Sequence, residues 1–154
     1  MRAIVLLFVL TLSAAPAWSG SPDEASFEIL RDTIRANKKS LVAASLTLTD
    51  AESDAFWPIY DRYEAEIKAV NDRLVKILDT YTKDYAKITD DEAKKLSEEY
   101  LAVEEDRASI RRKYFGDFTK VLPGKKAARF YQIENKMNAV IRYDLAREIP
   151  VVGE

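Results

Sequence analysis

The chain contains no cysteine and no histidine. The missing cysteine excludes a disulfide framework and a thiolate metal site, and leaves cysteine usage silent on redox compartment. With both residue types absent, the usual ligands of zinc, copper and nickel are missing. Ser–His and Cys–His nucleophile pairs are excluded for the same reason. Glycine (4) and proline (5) are scarce in 154 residues, which favours long regular elements over a turn-rich fold. There is no glycine-rich phosphate loop. A basic excess is lacking too. Twenty-four Lys and Arg face 26 Asp and Glu, for a formal net charge of -2, and this argues against a general nucleic-acid binder. No cofactor is expected, and nothing here supports an enzyme active site.

What is present begins with a processing signal. Arg2 precedes a run from Ala3 to Leu12 that is apolar except for Thr11, followed by Ser13, Ala14, Ala15, Pro16, Ala17, Trp18 and Ser19. A positive start, a short apolar core and small residues at alternating positions read as a secretory signal cleaved near 17–19. Residues 1–19 are therefore expected to be a signal peptide, and 20–154 a single helical domain outside the cytoplasm. The apolar run is shorter than the roughly 20 residues a bilayer span needs. No cysteine follows it to carry a lipid.

Four helices are predicted. The first runs from about Asp23 to Ala44, with Pro22 suited to its first turn and an interrupted apolar stripe of Phe27, Leu30, Ile34, Leu41 and Val42. The second opens with a capping box, Thr49-Asp50-Ala51-Glu52, in which hydroxyl and carboxylate exchange hydrogen bonds with each other's backbone. Its apolar residues are Phe56, Tyr60, Tyr63, Ile67, Val70, Leu74, Ile77 and Tyr81, and their steps of 4 and 3 alternate as in a coiled-coil seam. Pro58 removes one internal hydrogen bond and should bend this helix. The third opens with a second box, Thr89-Asp90-Asp91-Glu92. Its stripe is Ala93, Leu96, Tyr100, Val103, Ile110, Tyr114, Phe118 and Val121, with Arg107 interrupting and Gly116 loosening the last turn. The fourth starts near Pro123, ends before Pro150, and carries Ala127, Phe130, Ile133, Met137, Ile141 and Leu145. Helices of roughly 30–37 residues are about 45–55 Å long. Their seams would stay exposed in an isolated chain, and a second copy is the simplest cover.

Charge is distributed unevenly. From Asp50 to Asp106 there are 17 acidic and 8 basic residues, and from Arg107 to Arg147 there are 11 basic and 3 acidic. One reading is electrostatic pairing of the acidic and basic halves. The other is a basic face with interleaved aromatics (Tyr114, Phe115, Phe118, Phe130, Tyr131) that receives negatively charged clients, acidic peptides or anionic lipid headgroups. On the second reading the contact residues are Arg111, Arg112, Tyr114, Phe118, Arg129 and Phe130. Carboxylate pairs such as Asp50/Asp54 and Asp61/Glu66 suit solvated helix faces rather than an acid–base pocket. The Asp90-Asp91-Glu92 cluster lacks the turn glycine of a calcium loop and suits helix capping. Phe56-Trp57-Pro58-Ile59-Tyr60 reads either as the packed start of the second helix or as part of a hydrophobic groove.

Leu48-Thr49-Asp50-Ala51-Glu52 resembles the Leu-Thr-x-x-Gln motif of the Spy/CpxP-like periplasmic proteins (the LTxxQ family), whose relatives include stress-response and heavy-metal-resistance members. Glu52 stands where that motif has glutamine. Leu122-Pro123-Gly124-Lys125-Lys126 stands where the second such motif would fall, keeping its leucine and a proline-initiated helix. The resemblance implies a curved, all-α helical hairpin with two long central helices, assembled as an antiparallel homodimer in the periplasm. It implies an ATP-independent chaperone-like or envelope stress-response role. The alternative it offers is a regulatory protein docking on one membrane sensor or envelope partner. Metal-binding relatives use histidines, which this chain lacks, so metal sensing is not implied.

Overall fold

The computed structural model describes residues 36–152. The expected signal peptide and the first part of the first helix lie outside the described residues. Among those described, α1 covers residues 36–45. It is followed by α2 (Asp50–Asp84), α3 (Asp90–Val121) and α4 (Gly124–Glu148). The fold is all-α, and the long helices α2 and α3 pack together as a hairpin. Their antiparallel register is marked by Phe56 beside Phe118, Glu66 beside Lys113 and Arg73 beside Asp106. No helix among the described residues is long and apolar enough to cross a membrane.

Both predicted capping boxes form. The Glu52 N–H donates to Thr49 Oγ1 at 3.3 Å, and the Thr49 N–H donates to Glu52 Oε2 at 2.8 Å. Thr89 and Glu92 repeat the exchange at 3.3 and 3.0 Å. Each box satisfies amide donors that a helix start leaves without an internal partner. α2 continues through Pro58 as one helix, and α3 continues through Gly116 to Val121. Pro123 caps α4, its fixed φ of -55° leading the chain directly into the helix.

The seam of α2 is the spine of the core. Phe56, Tyr60, Tyr63, Ile67, Val70, Leu74 and Ile77 are all buried. At one end they pack with Val42 and Leu46 of the α1 segment, with Tyr114 and Phe118 of α3, and with Ala127, Phe130 and Met137 of α4. Phe118 and Phe130 approach edge-on at 4.5 Å between ring centroids, and Phe56 lies 5.1 and 5.3 Å from them. Such pairs contribute about 0.5–1.5 kcal/mol each beyond the area they bury. The other end is thinner. Val70, Leu74, Ile77 and Val103 form a separate cluster, with Leu78, Leu96, Ile110 and Leu145 half covered around it.

The stripe of α3 departs from expectation at two places. Tyr100 is exposed, because the thin end of the hairpin has too few neighbours to cover it. Arg107 does not point out of the seam. It is 8 % exposed, pairs with Glu104 one turn earlier, and donates to Asn71 Oδ1 at 2.9 Å. Its charge and planar donors are satisfied where they are buried, which is the condition for a buried guanidinium.

Candidate functional site

The two stretches carrying the LTxxQ-like pattern meet at one end of the bundle. Leu48 packs against the core, Leu122 is buried in it, and Thr49 and Pro123 cap α2 and α4. Lys126 Nζ reaches Glu52 Oε2 at 2.5 Å. That lysine contact, then the Thr49 backbone N–H, holds the Glu52 carboxyl below the ordinary glutamate range. These residues join helix starts and perform a structural task.

Part of the basic half of the chain pairs with the acidic half, in the manner of the first reading of the charge pattern. Lys113 bridges to Glu66 at 2.7 Å, and Arg142 bridges to Glu104 at 2.6 Å. Lys113, followed by the Tyr114 hydroxyl, lowers the pKa of Glu66. Arg129 Nε donates to the Ser45 carbonyl at 2.8 Å, tying α4 to the end of α1.

Three of the six candidate contact residues are displaced from the expected surface. Tyr114, Phe118 and Phe130 are 3 %, 1 % and 2 % exposed and belong to the core. They fall on the inward stripes of α3 and α4, so hairpin packing covers them, whatever the charge of their neighbours. The other three, Arg111, Arg112 and Arg129, remain at the surface or its edge. A different aromatic pair accompanies them. Phe115 and Tyr131, both partly exposed, meet edge-on at 5.8 Å. The Arg111 guanidinium lies 4.7 Å from the Tyr131 ring centroid, within cation–π range. The face shared by α3 and α4 is therefore both basic and aromatic, but it is built from Arg111, Arg112, Phe115 and Tyr131.

Beside this face runs a groove of about 380 Å³ between α2 and α4. Leu74, Leu78, Ile141 and Leu145 form apolar walls, and Arg107, Arg111 and Arg142 line it as well. No carboxylate lines it.

A buried polar cluster is centred on the inward stripe of α4. Glu134, 1 % exposed, accepts the Tyr63 hydroxyl at 3.0 Å and pairs with Lys38 at 3.0 Å. Lys38 also holds Glu64 at 2.7 Å. Burial raises the pKa of Glu64, with Lys38 opposing. Nothing in the local charge pattern of the sequence singles out Glu134. Its position on the stripe Ala127, Phe130, Glu134, Met137, Ile141 was a signal, but its partners lie on other helices. Among the described residues no group of three or more carboxylates is placed to hold a metal ion.

Comparison with protein-family models, with curated proteins and with solved structures finds no match for this chain.

Proposed function

We propose that this chain is a periplasmic, ATP-independent chaperone-like or envelope stress-response protein that holds unfolded clients on a basic and apolar helical face. The observation that carries this reading is the exposed Phe115–Tyr131 pair with Arg111 over the Tyr131 ring, and with the exposed Arg112 one helical turn before Phe115. Exposed aromatics offer unfolded segments apolar contact without a shaped pocket. Neighbouring arginines raise encounter rates with acidic clients and make binding salt-sensitive. The Leu48–Glu52 resemblance to the LTxxQ family points the same way. The working unit is a homodimer, favoured by exposed apolar side chains such as Val75 and Leu101 on the long helices (62 % and 59 % exposed).

The test is light scattering from two unrelated aggregation-prone proteins mixed with the chain, without nucleotide, at low and high salt. Protection of both, weakened as salt rises, is the expected result. Protection of neither, with tight capture of a single envelope protein, would replace this reading with that of a dedicated regulatory partner.

A further inference from the structure

We propose that the groove between α2 and α4 is a binding site for an anionic amphiphile, a medium-chain carboxylate or its chemical equivalent. This site adjoins the client-holding aromatic face and shares Arg111 with it, but takes a different ligand.

The walls select an apolar body. Leu74 and Leu78 of α2 face Ile141 and Leu145 of α4 across the groove, at the thin end of the bundle where the core cluster is small. A volume of about 380 Å³ lies in the lower part of the range of small-molecule sites, large enough for a flexible chain and too small for a folded element.

The polar residues select an anionic head. Arg107 and Arg142 both pair with the single carboxylate of Glu104. Arg111 adds a third guanidinium, with Nη2 at 3.4 Å from Asn135 Oδ1 and its face on Tyr131. Two of these guanidiniums thus share one carboxylate, and among the described residues the third has no carboxylate within ion-pair distance, so all three stand beside an apolar trough that no carboxylate lines. The Nε of Arg111 is buried without an acceptor, and a buried donor left in that state is costly. A carboxylate head would take that N–H, add an anion to the three guanidiniums and match the planar fork of one of them. A neutral amphiphile would bury its tail but leave the arginines as they are. A small anion would meet the arginines but leave the walls wet.

The experiment is calorimetric titration of the whole chain with dodecanoate below its micelle concentration, with dodecanol and acetate as probes of each half. One dodecanoate per chain is expected, with both other probes at least about tenfold weaker, the factor that about 1.4 kcal/mol of charge-assisted bonding would produce. Arg111→Gln, which keeps a polar side chain, and Ala139→Trp, which fills the groove from its rim, should each weaken dodecanoate at least about tenfold while leaving far-UV circular dichroism unchanged. Equal binding of dodecanol, binding of many molecules per chain, or full binding by Ala139→Trp would overturn the site. If dodecanoate is ignored while an acidic leucine-rich peptide binds and is lost in both variants, the occupant is a polypeptide and the amphiphile assignment fails.

Discussion

Lys126 Nζ lies 2.5 Å from Glu52 Oε2, and that same oxygen accepts the Thr49 backbone N–H at 2.8 Å. One carboxylate oxygen therefore closes the cap of α2 and fastens the first turn of α4 to it, across 74 residues of chain. Replacing Thr49 by alanine removes only the hydroxyl half of the cap and should cost about 1 kcal/mol. Glu52→Gln keeps an acceptor for the Thr49 N–H but loses the charge facing Lys126, so its thermal midpoint should fall less than that of Glu52→Ala. A double-mutant cycle of Glu52→Gln with Lys126→Met reads the coupling, and strictly additive changes in midpoint would show the ion pair to be without effect.

Acid should loosen the bundle. Glu52 and Glu66 both have folded pKa values below the ordinary one, the first chiefly through Lys126 and the second chiefly through Lys113. A lowered folded pKa means that the contribution is fully present above the unfolded value of about 4.3 and is lost as pH falls through the folded value. Glu64 acts in the opposite sense. Burial raises its pKa, so its contribution is lost as pH rises through that raised value. Thermal midpoints followed from pH 6 down to pH 2 should drop below about pH 4, and Glu66→Gln should flatten the drop. An identical acid profile in that variant would contradict the assignment.

Two neighbouring tyrosines should respond oppositely to loss of the hydroxyl. Tyr60 Oη is buried without a hydrogen-bond partner, whereas Tyr63 Oη donates to Glu134. Tyr60→Phe removes an unsatisfied group and should be neutral or stabilising by up to about 1 kcal/mol, while Tyr63→Phe should cost about 1–3 kcal/mol. Urea midpoints of the two variants, compared with the parent, decide this. Burial raises both pKa values first of all, with Glu64 adding most at Tyr60 and Glu134 at Tyr63. The folded state therefore resists their ionisation, and stability should decline as pH climbs past about 10, where the unfolded phenols ionise.

Core and surface aromatics should separate cleanly. Phe130→Ala opens a void beside Phe56, Tyr60, Tyr63 and Phe118 and should cost about 3–5 kcal/mol. Phe115→Ala, on the exposed face, should change stability by no more than about 0.5 kcal/mol while weakening client capture. Denaturant unfolding paired with an aggregation assay distinguishes the two. A Phe115→Ala chain that protects clients as well as the parent would remove this ring from the binding face.

Much of this architecture is written in local patterns. The alternating steps from Phe56 to Ile77 named the buried side of α2, and the Thr-Asp-x-Glu starts named both caps, because seams and caps depend on residues three and four apart. The candidate site was less legible for a physical reason. Tyr114, Phe118 and Phe130 sit among arginines and lysines in sequence, yet their angular positions turn them inward, where the core rather than the neighbouring charge decides their role. Arg107 and Glu134 lie on inward stripes too. Besides Glu104, one turn from Arg107, what lets them stay there comes from Asn71, Tyr63 and Lys38 on other helices, and no spacing along one helix displays those partners. The groove likewise exists only once α2 and α4 are set side by side.

The most direct test of the proposed client-holding face is the affinity of a permanently unfolded client, reduced and alkylated, for the parent chain and for Arg111→Glu/Arg112→Glu at low salt. Binding should weaken by about tenfold or more in the doubly reversed chain, and the gap should shrink as salt screens the remaining charge. Unchanged affinity in a variant that keeps its helical signal and thermal midpoint would contradict the claim that this basic, aromatic face of α3 and α4 holds unfolded protein.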